Sequence, residues 1–138
     1  MKKFYFILAL LGVFACSEDE HMTADYFKSQ KRDSRFFGKW KAVNPNTLEE
    51  KITSFYSEYT EEGVFDLIDR ETGEKDERKR YYYTKENTLY VLHPGAGFKV
   101  SASVSEYKYK FSDDNNILII QTLEEYRKGD KGEFFKRK

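Results

Sequence analysis

From residue 38 to residue 138 the strand-like runs of this chain are joined by connections too short for crossovers. Parallel neighbours need about a dozen residues or more between them. Here the breaks are Asn44-Pro45-Asn46, Glu61-Glu62-Gly63, Glu71-Thr72-Gly73-Glu74, Lys85-Glu86-Asn87, Pro94-Gly95-Ala96-Gly97, Asp113-Asp114-Asn115-Asn116 and Gly129-Asp130-Lys131-Gly132. Each supplies the Gly, Pro, Asn or Asp that a tight turn needs. The runs between them lie at 38–43, 51–60, 64–70, 77–84, 88–93, 98–111, 117–126 and 133–138. They are rich in β-branched and aromatic residues, which suit a pleated, half-buried surface. The pattern predicts an all-β domain over 36–138: a small antiparallel up-and-down β-barrel of about eight strands. Closure removes exposed strand edges.

Composition agrees. Aromatics make up 17% of the chain, with 11 Tyr and 12 Phe against 2 Pro, a bias toward strands rather than disorder. The run 98–111 changes phase: Phe98, Val100, Ala102 and Val104 are apolar at even positions, Tyr107, Tyr109 and Phe111 at odd ones. A period of two cannot carry both sets onto one face. Either a bulge sits near Ser105-Glu106 or two strands meet at a bend. An eight-stranded barrel is just wide enough to be filled by side chains or to hold one small ligand. Phe55, Tyr59, Tyr83 and Tyr109 are the candidates to point inward. They either fill the interior as core or line a pocket whose polar groups are Tyr hydroxyls.

Trp40, the only tryptophan, stands two residues after Gly38 at the front of the first run, Phe36-Phe37-Gly38-Lys39-Trp40. A tryptophan buries much apolar area but needs a partner for its indole N–H, and glycine permits close approach. Gly-x-Trp opening the first strand, with Arg137 (or Lys136) in the last, resembles the lipocalin and fatty-acid-binding barrels, in particular the small lipocalin-like domains of bacterial lipoproteins. The resemblance spans the whole strand-rich region. It implies barrel closure by Gly38, Trp40 and Arg137, with the tryptophan plugging one end and the basic residue packed over its face. The chain departs from the family in having a short domain without a visible C-terminal helix and without the family's middle motif. Both departures argue against a large cavity.

The first 35 residues read as address and tether. Met1-Lys2-Lys3 is followed by a twelve-residue apolar run from Phe4 to Ala15. A membrane-spanning helix needs about 20 residues, so the run is predicted to be a signal peptide over 1–15. Val13-Phe14-Ala15-Cys16 resembles a bacterial lipobox, which implies lipid attachment at Cys16, the chain's one cysteine. With two or more acyl chains the protein would stay on a membrane. Ser17 after the cysteine is similar to outer-membrane lipoproteins, and the acidic Glu18-Asp19-Glu20 resembles the surface-export signal of Bacteroidetes lipoproteins. Residues 16–35 form a polar tether in which Ala24 to Lys31 is compatible with one or two helical turns.

Chemical motifs are few. Lys+Arg and Asp+Glu are each 24, so no net charge draws the chain to nucleic acid. One cysteine excludes an internal disulfide or a cysteine metal cluster. His21 and His93 are far apart in the sequence and make a poor metal pair. No nucleophile elbow, zinc-protease helix or phosphate loop is present. Asp113-Asp114-Asn115-Asn116 has oxygen ligands for calcium but reads more simply as a turn. Neither catalysis, a metal nor another cofactor is expected. Two functions remain: a lipid-anchored envelope protein binding a small, partly apolar ligand in the barrel, or a protein-interaction module with a filled barrel and an unspecified protein partner.

Overall fold

The computed structural model describes residues 21–95 and 102–138. The leader, Cys16, the acidic stretch to Glu20 and the first part of the long run lie outside the described residues. Eight strands close into a barrel in sequence order: β1 (Gly38–Val43), β2 (Phe55–Tyr59), β3 (Val64–Asp69), β4 (Arg80–Lys85), β5 (Thr88–His93), β6 (Ser103–Phe111), β7 (Ile117–Thr122) and β8 (Glu133–Arg137). All neighbours are antiparallel, and β8 returns to β1 through Trp40↔Arg137 and Val43↔Phe134. The short connections dictate this order. Alternating chain direction gives the barrel two ends. The start of β1, the end of β8 and the tight β2–β3, β4–β5 and β6–β7 turns share one end, the plugged end. The longer connections share the other, the mouth.

The chain reaches the plugged end through a strap. Helix α1 (Ala24–Ser29) is capped by Thr23, whose side chain accepts from the Tyr26 N–H at 3.2 Å. At six residues it is too short to persist alone. It is held by Phe27, which is fully buried and meets the Tyr83 ring at 4.8 Å on the outer face of β4. Arg32 then donates to the carbonyls of Phe27 at 2.9 Å, Lys28 at 2.8 Å and Glu61 at 3.1 Å. A 3₁₀ turn (Ser34–Phe36) follows, capped by Asp33, and delivers Phe36 fully buried into the barrel.

Four strand-level expectations are corrected. Residues 51–54 are not part of β2, because Arg70 captures them: its Nε donates to the Thr53 carbonyl at 2.7 Å and its backbone N–H to that of Ser54 at 2.9 Å. Residues 77–79 precede β4, since the loop before them folds on itself, with Asp69 Oδ1 accepting from the Glu71 and Thr72 N–H groups. No bulge interrupts β6 among the described residues. Its register on β5 runs unbroken from His93↔Ser103 to Thr88↔Lys108. The odd phase faces in, and Val104 of the even phase is 37% exposed. Finally, 117–126 is not one strand. After Thr122 the chain turns into helix α2 (Leu123–Lys128), fixed by a capping box between Thr122 and Glu125 and stopped by Gly129 at φ +75°.

Candidate functional site

The barrel's interior is full at one end and hollow at the other. At the plugged end Phe36, Trp40, Tyr59, Tyr82, Tyr109 and Leu118 form one buried cluster. Their rings meet at angles typical of edge-on packing: Phe36 to Tyr109 at 4.7 Å, Phe36 to Tyr59 at 5.0 Å, Tyr59 to Tyr82 at 5.0 Å. The indole N–H of Trp40 donates to the Phe36 carbonyl at 2.8 Å. Arg137 lies over the indole with its guanidinium carbon 4.3 Å from the ring centroid. It also donates to the carbonyls of Phe37 at 3.0 Å and Asn115 at 3.2 Å and to that of Arg35. Gly38 adopts φ +123°, and a Cβ there would sit 3.5 Å from the Arg137 guanidinium. Gly38, Trp40 and Arg137 thus occupy one closure at the plugged end.

Other inward positions are smaller: Ser57, Leu89, Val91 and Thr122. The space left is a cavity of about 320 Å³, also walled by Tyr59, Phe65, Tyr107, Ile120 and Phe135, with His93, Glu125 and Glu133 around it. His93 Nε2 lies 3.1 Å from Ser105 Oγ. Burial, helped by the positive charge of Arg80, holds its imidazole below the ordinary histidine range and hence neutral at pH 7. Glu125 Oε1 accepts from the Thr122 N–H at 3.0 Å as part of the capping box, so α2 sets the position of that acid. Glu133 opens β8 and makes no ion pair among the described residues. Tyr59 is 3% exposed, stacks on Phe65 at 4.7 Å, and its hydroxyl makes no hydrogen bond among the described residues. Burial, with Tyr82, Tyr107 and Glu133 nearby, pushes its pKa far up, so it remains a donor.

Of the four aromatics expected to point inward as ligand contacts, one lines this cavity: Tyr59. Tyr109 faces in but belongs to the plugged end, where its hydroxyl donates to Asp33 Oδ2 at 3.0 Å. Asp33 is penalised by burial, yet the hydrogen bonds of Arg35 and Tyr109 hold its carboxyl below the usual range. Phe55 is on the inward face at the rim, 43% exposed, beside a second groove lined by Ala42, Leu67 and Phe134 that shares Ser57, Glu133 and Phe135 with the cavity. Tyr83 is corrected outright. It faces outward, stacked on Tyr90 at 4.7 Å and edge-on to Phe27 of the strap, and burial there pushes its hydroxyl up to about 12. Its neighbour Tyr82 is the inward residue, donating to the Thr60 carbonyl at 2.7 Å.

Several cavity residues were readable by parity. Ser57 follows from Tyr59, Tyr107 from Tyr109, and Phe135 from Arg137, because alternate residues of a strand share a face. Glu125 needed the recognition of Thr122-x-x-Glu125 as a helix start. Among the described residues no group of three or more His, Cys, Asp or Glu is arranged to hold a metal ion. No protein-family model matches this chain, and comparison with the curated proteins gives no significant match.

Proposed function

We propose that this protein is a lipid-anchored envelope protein of lipocalin-like type that takes a small, partly apolar molecule into the open half of its barrel. The observation that carries the reading is the Tyr59 hydroxyl. That hydroxyl is not a buried orphan: it makes no hydrogen bond among the described residues and opens onto a cavity of about 320 Å³, the lower end of the range for small-molecule sites. The aliphatic and aromatic walls would take the ligand's body, and Tyr59 would donate to an acceptor on it.

The neutral fluorescent probe N-phenyl-1-naphthylamine tests this. Saturable enhancement is expected, with NMR amide shifts concentrated at Leu89, Val91, Ile120 and Phe135. No saturable binding, or shifts confined to the outer face, would overturn the reading. The anchor has its own test. Cys16→Ser is expected to move the protein from the membrane to the soluble fraction, since the acyl chains contribute about 0.8 kcal/mol per buried CH₂. Continued membrane attachment of the serine variant would remove the anchor from the proposal.

A second reading, a protein-contact surface, has one observation in its favour. On the β1–β2 connection Leu48 and Ile52 are exposed, Ile52 at 93%, next to Phe55 on the rim.

A further inference from the structure

We infer that the molecule the cavity takes is an organic cation, an amine carried on an apolar or aromatic body. The inference rests on the cavity being a ligand site, and Tyr59 points to that independently of charge. The class follows from the charges around the opening. The acidic side chains lining it are Glu125 and Glu133, and the one basic lining group is His93. Among the described residues no arginine or lysine lines it, and three cations nearby have partners elsewhere. Arg80 is 3.2 Å from Asp76, Lys128 is 2.9 Å from Glu124, and Lys131 donates to Asn46 Oδ1 at 2.6 Å. Glu133 is left without a protein cation among the described residues. Deeper in, Tyr59, Phe65, Tyr107 and Phe135 present π surfaces, whose negative faces attract a cation at close range.

Each element therefore disfavours a carboxylate ligand and favours an ammonium group. Among the described lining residues an anionic head would meet two acids and no arginine or lysine, which is how a site rejects the wrong charge. An ammonium group at the level of Glu133 would leave its apolar body against Val91, Ile120 and Phe135. Glu125 is held by the capping box, so its position is set before any ligand arrives.

Three probes with one ring system separate charge from shape: 2-(1-naphthyl)ethylamine, 2-(1-naphthyl)ethanol and 1-naphthylacetate, titrated into the protein by calorimetry at low salt. The amine is expected to bind about five-fold tighter than the alcohol, the size of one partly exposed ion pair, and the carboxylate weakest. Glu133→Gln keeps the side chain's shape and leaves the capping box intact. It is expected to narrow the amine-to-alcohol ratio by weakening the amine more than the alcohol. Added salt should narrow the same ratio. Carboxylate binding as tight as amine binding, or an amine preference untouched by Glu133→Gln, would overturn the inference while leaving the pocket standing. Binding of none of the three would overturn the pocket reading and the amine reading with it.

Discussion

Trp40→Ala is expected to lower the stability of the folded protein by about 3–5 kcal/mol. The indole is fully buried in the plugged end, where Phe111 lies 5.9 Å away and Arg137 covers its face. Truncation removes the largest side chain of the core and leaves a void that the two flanking strands, β2 and β8, cannot close, because their registers fix them. It also leaves the Phe36 carbonyl without its buried donor and Arg137 without the ring beneath it. Urea unfolding of the Cys16→Ser form, followed by far-UV circular dichroism, measures the loss. A change within about 0.5 kcal/mol, the range of surface substitutions, would contradict the packing described. Arg137→Met should cost less in the Trp40→Ala background than alone, since residues in contact do not act additively.

Phe36→Ala is expected to cost a similar amount, about 3–5 kcal/mol. Phe36 belongs to no strand, yet it is fully buried and meets the rings of Tyr59, Tyr82, Tyr109 and Phe111. Nothing in a strand pattern predicts that cost, so the variant isolates what the segment before β1 contributes. The same unfolding experiment applies, with one added readout. Because Phe36 also packs against Tyr59, which walls the cavity, N-phenyl-1-naphthylamine affinity of the folded Phe36→Ala protein should fall as well. A stability loss below about 0.5 kcal/mol would mean that the plug is dispensable.

The strands were legible because their turns were. Gly63 at φ +95° and Gly129 at φ +75° occupy backbone conformations that most side chains resist. Glu86, Asn87 and Asn115 also take positive φ in their turns. First and last strands were paired in anticipation through Trp40 and Arg137, and β1 and β8 are paired at those two residues. Facing direction was harder. Tyr81-Tyr82-Tyr83 offers aromatic residues to both faces, and period two cannot choose between them. The strap decides it by covering the outer side, so Tyr83 is packed there and Tyr82 inside. The change of phase before Phe111 reads as a bulge or a bend only if Val104 is taken as buried, and it is 37% exposed. Helix α2 was missed because Leu123 continued an apolar strand, although Thr122 and Glu125 spell its start. The cavity was out of reach of the sequence. Its volume depends on which small residues stand across from each other, and that is set by eight registers together.

The strap has a mechanical consequence. A pull on the chain ahead of α1 meets the barrel in a fixed order. The load falls first on Phe27 against Tyr83, then on the Arg32 bonds that tie Phe27 and Lys28 to Glu61, then on Asp33, whose N–H is held by Thr84 Oγ1 at 2.7 Å. Only after those yield can Phe36 be drawn out, and only after Phe36 does tension reach β1. Traction from the N-terminal side therefore spends itself on the plugged end, and the mouth keeps its shape until the first strand itself is peeled away.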